Sequence, residues 1–171
     1  MNMRYFLVLT VLLFSWAGLK AQPVQIKSAK ITFEFPSKKV KGTLDGFASS
    51  SKIYWDDYSN SIFKGSVDAA TLDTNNGLRN WSLRGSRYFN VKEYPKMLFV
   101  SKTIKKEGNT WLVIGDLTIK GVQKEFRIRF QRKDDFLFGT GELYSSDYGI
   151  KIKKLREENL VVVNFEFEFV P

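Results

Sequence analysis

The chain has 171 residues, a formal charge of +9 from 27 basic and 18 acidic side chains, and neither histidine nor cysteine. That composition excludes Ser-His and Cys-His catalysis, histidine-containing zinc sites, disulfide bonds and a cysteine-linked lipid anchor. The fold must therefore rest on its apolar core alone, and no metal or cofactor is expected.

Arg4, the apolar run Tyr5 to Trp16 and the small-residue exit Ala17-Gly18-Leu19-Lys20-Ala21 read as a secretory signal peptide over residues 1–21. The run is shorter than the roughly 20 residues that span a bilayer. The cut is placed after Ala21, with Ala17 or Gly18 as the alternative, and the protein is expected to be exported to the periplasm or beyond the cell. Losing Arg4 and Lys20 leaves the chain basic. Residues 22–171 then form one domain. A basic exported domain suits peripheral contact with an anionic membrane, while export and the scatter of its lysines argue against nucleic acid.

Ile31, Phe33 and Phe35 alternate with Thr32 and Glu34, the period of a half-buried strand. Val40, Gly42 and Leu44 continue it, but Phe47 is out of phase. Asp45-Gly46 is therefore expected to bend one long strand that resumes at Ile53 and Trp55, which favours a closed barrel over a flat sandwich. Asp56-Asp57-Tyr58-Ser59-Asn60 is a turn, lacking the alternating ligands and glycine of a calcium loop. Phe63, Gly65, Val67 and Ala69 share a face whose small members either leave cavity volume or accept a neighbouring aromatic ring.

Asn75-Asn76-Gly77 can open a short helix and Gly85 can end it, which predicts a lid carrying Trp81 and Leu83. Tyr88-Phe89 add apolar bulk, Tyr94-Pro95 breaks the segment, and Met97, Phe99 and Ser101 begin the next strand. A hairpin at Glu107-Gly108-Asn109 leads to Trp111, Val113, Gly115, Leu117 and Ile119. A turn at Lys120-Gly121 follows, then Phe126, Ile128 and Phe130 with Arg127 and Arg129 facing water. After Asp134-Asp135, Phe136 to Tyr144 forms a strand in which Gly139 and Gly141 predict a bend. Lys151 to Arg156 is a basic loop or a membrane-facing patch, and Val161, Val163, Phe165, Phe167 and Phe169 form the last strand.

About eight strands with short connections predict an all-β, antiparallel barrel with a helical lid. Its inward positions are aromatic and aliphatic with almost no polar group, which fits an ordinary core or a cavity for an apolar chain. At a mouth, Arg79, Asn80 and Asp147 are candidates for a polar headgroup. Arg79 has two plainer roles, as a surface residue or as the ion-pair partner of Asp147.

Arg79, Leu83, Tyr88-Phe89, Val91, Tyr94-Pro95 and Phe99 occur in an order that resembles the YceI-like family of secreted lipid-binding proteins. Gly115-Asp116-Leu117-Thr118-Ile119-Lys120-Gly121-Val122 and Ser146-Asp147-Tyr148-Gly149-Ile150 resemble two further motifs of that family. The sequence departs from the family pattern at Asn80, Ser82, Lys120 and Gln123. The resemblance implies a lipocalin-like barrel that carries or sequesters an isoprenoid or other long-chain lipid in a hydrophobic tunnel, its polar end near the mouth. On that expectation Phe33, Phe35, Phe63, Val67, Met97, Phe99, Leu117, Phe126, Ile128 and Phe165 face the ligand, and no residue is catalytic. The competing readings are an enzyme of lipid metabolism on the same scaffold and a partner-binding barrel with a filled core. The oligomeric state stays open, a dimer included.

Overall fold

The computed structural model describes residues 22–170, so the segment 1–21, read from the sequence as a signal peptide, lies outside the described residues. Nine antiparallel strands form one strongly curled sheet: β1 (Ile26–Phe35), β2 (Val40–Leu44), β3 (Ala48–Ser49), β4 (Lys64–Asp68), β5 (Lys96–Glu107), β6 (Thr110–Ile119), β7 (Val122–Lys133), β8 (Phe136–Tyr144) and β9 (Leu160–Phe169). The order across the sheet is β2-β1-β9-β8-β7-β6-β5-β4-β3. One helix, α1 (Gly77–Arg84), lies between β4 and β5.

The two edge strands are consecutive in sequence, which explains the curl. β2 pairs with β1 and β3 pairs with β4, and only Asp45-Gly46-Phe47 separates them. Gly46 takes φ +68, a left-handed conformation that turns the chain without a Cβ penalty. The Asp68 amide donates to the Asp45 carbonyl at 3.1 Å across the gap, and Thr43 and Asp73 exchange backbone bonds at 2.9 and 3.1 Å. The bend expected at Asp45-Gly46 is thus where the sheet comes round on itself, and it splits one anticipated strand into two.

Two strand readings need correction. Ile53 and Trp55 belong to no ladder; residues 52–53 make only isolated bridges, Ile53 to Val24 and Lys52 to Ile62. The segment still buries Ile53 completely, so burial alone produced the strand-like pattern. Ala69 lies past the end of β4, in a single 3-10 turn (Ala69–Thr71).

The glycines of the sheet make room for phenylalanine rings. A Cβ at Gly139 would collide with the Phe130 ring, one at Gly141 would lie 2.5 Å from the Phe126 ring, and one at Gly115 would lie 2.8 Å from Phe99. The β8 ladder with β9 runs through both of its glycines without a register shift, so whatever bend they allow is made without a bulge, and they serve packing across the sheet. The rings they admit form a continuous aromatic layer. Phe63 stacks on Phe130 at 5.1 Å, Phe130 meets Phe165 at 6.1 Å, and Phe126 meets Phe99 at 6.2 Å.

The registers also fix the two ends of the curled sheet. Ile26 pairs with Phe169, Glu107 with Thr110 and Lys133 with Phe136 at one end. That end is closed by Trp55, Trp111, Tyr58 and Phe169, with Trp55 against Phe169 at 4.8 Å and the Arg132 guanidinium 4.1 Å over the Trp55 ring. Phe35 pairs with Val40, Asp68 with Lys96, Ile119 with Val122 and Tyr144 with Leu160 at the other end. The helix and the longest connections gather there.

Candidate functional site

Helix α1 forms where the sequence supplies a cap at each end. The Asn76 side chain accepts the Arg79 amide at 2.9 Å, and the Gly85 amide donates to the Ser82 carbonyl at 3.1 Å. Eight residues are too few for a stable isolated helix, so tertiary anchors must hold it. Asn80 is one: its Oδ1 accepts the Thr74 amide at 2.9 Å and the Thr74 hydroxyl at 2.7 Å, and its Nδ2 donates to Asp73 Oδ1 at 2.7 Å. Arg84 is another, donating to the Leu72 carbonyl at 2.8 Å. The chain then folds back, with Phe89 bonded to Leu83 and Val91 to Arg84, and Tyr88, Phe89 and Val91 pack against the core beneath.

The two sequence motifs build the wall under this lid. Lys120 and Gly121 both take positive φ (50° and 74°), the geometry of a tight two-residue hairpin, and Gly121 sits under the Tyr94 ring of the lid segment. In the second motif Gly149 is left-handed at φ 73° and the Ser145 hydroxyl donates to the Ile150 carbonyl at 2.8 Å. That turn sends Tyr148 and Ile150 inward, both almost fully buried, and leaves Asp147 outward. Burial pushes the Tyr148 hydroxyl up to about 12, with the nearby Asp147 charge adding to the shift.

Between lid and sheet lies a cavity of about 620 Å³, in the range of small-molecule sites. All ten residues of the candidate set line it: Phe33, Phe35, Phe63, Val67, Met97, Phe99, Leu117, Phe126, Ile128 and Phe165. Val67 and Met97 face each other across β4 and β5. The small residue at Gly65 does not simply leave space, because Phe47 reaches to 3.1 Å from where its Cβ would be; Phe47 itself lines the cavity. Ala69 is buried but belongs to the core and not to the lining.

The headgroup candidates separate. Arg79 lines the cavity beside Asn76, Ser82 and Lys38, and neither Arg79 nor Lys38 has a carboxylate partner among the described residues. Asn80 is 8% exposed, committed to Thr74 and Asp73, and absent from the lining, so it anchors the lid and does not meet a headgroup. Asp147 is held by Arg156 through two bonds of 2.8 and 2.6 Å, which keep its carboxyl below the usual carboxylate range. Arg79 is therefore not its partner, and Asp147 lies outside the cavity. The pairing was hidden because eight residues and a turn lie between Asp147 and Arg156. The basic loop around it is shaped by fully buried Asn159, whose side chain accepts from Ile152 and Lys153 and donates to Lys153 and Leu155.

A YceI-like domain model matches residues 23–169. The chain belongs to the YceI-like family. The UPF0312 protein plu2095 of Photorhabdus laumondii is 47% identical over 58 residues, 34% of this chain and 30% of that protein; a UPF0312 protein of Yersinia pestis is 40% identical over the same length. This chain thus spans under a third of the length of the curated relatives it matches. BcnA of Burkholderia cenocepacia superposes with a TM-score of 0.73 at 19% identity, covering 86% of this chain and 99% of that one. The Campylobacter jejuni YceI protein gives 0.65 at 20% identity over 99% of both chains. A polyisoprenoid-binding domain from Saccharophagus degradans, implicated in plant cell wall breakdown, gives 0.59 at 15% identity over 87% and 97%. At these identities the solved structures share the fold.

Proposed function

We propose that this YceI-like protein binds one long-chain amphiphilic lipid, an isoprenoid or a molecule of similar shape, and carries or sequesters it in an exported compartment. The observation that carries the reading is the cavity: about 620 Å³ walled by phenylalanine, valine, leucine, isoleucine and methionine, closed at one end by tryptophans and capped at the other by the lid. Such a wall recognises apolar length and offers an alkyl or isoprenoid chain no hydrogen bond. The polar contribution comes mainly from the lid end, where Arg79, Lys38, Asn76 and Ser82 suit an anionic or hydrogen-bonding head. The polyisoprenoid-binding domain with the same fold supports this choice of cargo.

A binding role also fits the chemistry of the wall. Tyr148 is the deepest titratable side chain lining it among the described residues, and it stays protonated at neutral pH. A neutral phenol far from its ionisation is a poor general base, and no carboxylate among the described residues lines the cavity to replace it. In this reading residues 1–21 act as a signal peptide, the protein works in the periplasm or outside the cell, and no metal, cofactor or nucleic acid takes part. The test is to purify the protein from the exported fraction, extract it with organic solvent and identify what is released by mass. A long-chain lipid at close to one per chain is expected. A protein that yields none, and takes up none when offered prenols or fatty acyl lipids, contradicts the proposal.

A further inference from the structure

The lid carries apolar side chains that the described residues leave exposed. Leu78 is 79% exposed and Trp81 76%, and their spacing of three residues sets them on one face of α1. Leu155, in the neighbouring loop, is 57% exposed. All three lie at the open end: Leu78 and Arg79 line the cavity from the helix, Ile152 lines it from the loop, and Lys38 lines it from the turn after β1.

The same end is cationic. Lys38, Lys39, Arg87, Lys92, Lys151 and Lys154 are exposed there without a carboxylate partner among the described residues. The other acids nearby are partly neutralised: Glu34 pairs with Lys41, Asp68 with Lys96, Asp147 with Arg156 and Glu158 with Lys153. Asp45, Asp73, Glu93, Glu142 and Glu157 are carboxylates of that end with no ion-pair partner among the described residues, and the six unpaired cations outnumber these five. Exposed tryptophan and leucine within a basic rim match the interface of an anionic bilayer, where the indole sits at headgroup depth and lysines meet lipid phosphates. The rim would disfavour an identical, equally basic copy of the chain as the occupant.

We propose that the lid end docks on an anionic membrane leaflet through Trp81, Leu78 and Leu155, with Lys151 and Lys154 among its charged contacts, so that the mouth opens against the bilayer. The inference rests on the lipid-binding reading above, since docking sets the mouth where a lipid can pass between leaflet and cavity without crossing water. It gives the exposed apolar side chains a reason to exist, because burial in the fold does not provide one.

The test uses the processed chain, stripped of lipid, with vesicles of phosphatidylglycerol and phosphatidylethanolamine or of phosphatidylcholine alone. Sedimentation with the anionic vesicles is expected, weakened at least fivefold by Trp81→Ser or by Lys151→Gln with Lys154→Gln, and weakened by added salt. A blue shift of tryptophan emission on vesicle addition is expected in the wild type and not in Trp81→Ser. Neither variant touches the cavity, so both should retain lipid delivered from detergent as well as wild type does. Failure to sediment, equal sedimentation of the variants, or a dimer in light scattering that Trp81→Ser dissolves would overturn membrane docking. If vesicles bind as expected while no form retains detergent-delivered lipid, docking stands and the cavity reading falls.

Discussion

Asn80 Nδ2 donates to Asp73 Oδ1 at 2.7 Å, and this bond joins the lid helix to the residue that bridges β2 at Thr43. The same amide's oxygen takes both the amide and the hydroxyl of Thr74, so one buried side chain ties the helix to residues 73–74 by three bonds. Ligand retention should depend on it.

Replacing Asn80 by alanine leaves the Thr74 amide and hydroxyl without their partner in a buried site. The expected cost is about 1–3 kcal/mol. Thermal unfolding of lipid-free protein reads that loss, and the release rate of a fluorescent fatty acid should rise with it. Unchanged stability would mean that Asn80 does not anchor the lid and that Arg84 and the apolar contacts hold it.

Asp73 makes the anchor sensitive to acid. Its hydrogen bond from Asn80, first, and then that from the Asn75 amide hold its carboxyl below the usual value of 3.8. A depressed folded pKa contributes stability that is complete above the unfolded value and is lost as pH falls through the folded one. Lipid release should therefore accelerate below about pH 4, with Asp73→Asn flattening the profile because the amide still offers an oxygen but does not titrate. A wild-type release rate constant down to pH 3 would contradict this.

Gly139 tests the aromatic layer. Alanine there places a methyl group into the Phe130 ring, which is 1% exposed and stacked on Phe63, so neither ring can move freely. Overpacking of this kind should cost about 1–3 kcal/mol, and shortening Phe130 to leucine in the same chain should recover part of it. Calorimetry of the single and double variants measures the coupling.

Most of the strand pattern, the bend at Asp45-Gly46 and the lid with its caps were legible in the sequence, because each rests on local periodicity or on turn chemistry within a few residues; the alternation gave the inward faces, and only the family resemblance read them as a cavity and not an ordinary core. What was not legible depends on distance. Asn80 reads as a headgroup candidate until the fold brings Thr74 and Asp73 to it, and Asp147 finds Arg156 only after the turn at Gly149. Phe47 was visible as an out-of-phase residue, but its place over Gly65 needs the pairing of β3 with β4. Ile53 and Trp55 mimic a strand because packing alternates their burial without a ladder.

The lipid cavity itself is tested most directly at Val67, which is 8% exposed, lines the cavity and lies opposite Met97. Native mass spectrometry of wild type and Val67→Trp, reloaded with the same prenol and compared with the thermal unfolding of lipid-free samples, separates ligand volume from packing. The expected result is one bound prenol per wild-type chain, none on Val67→Trp, and little change in the stability of the empty protein, because the indole occupies space the ligand would fill. Full binding by Val67→Trp, or a destabilisation of about 1–3 kcal/mol in the empty protein with binding intact, would mean a filled core at this position.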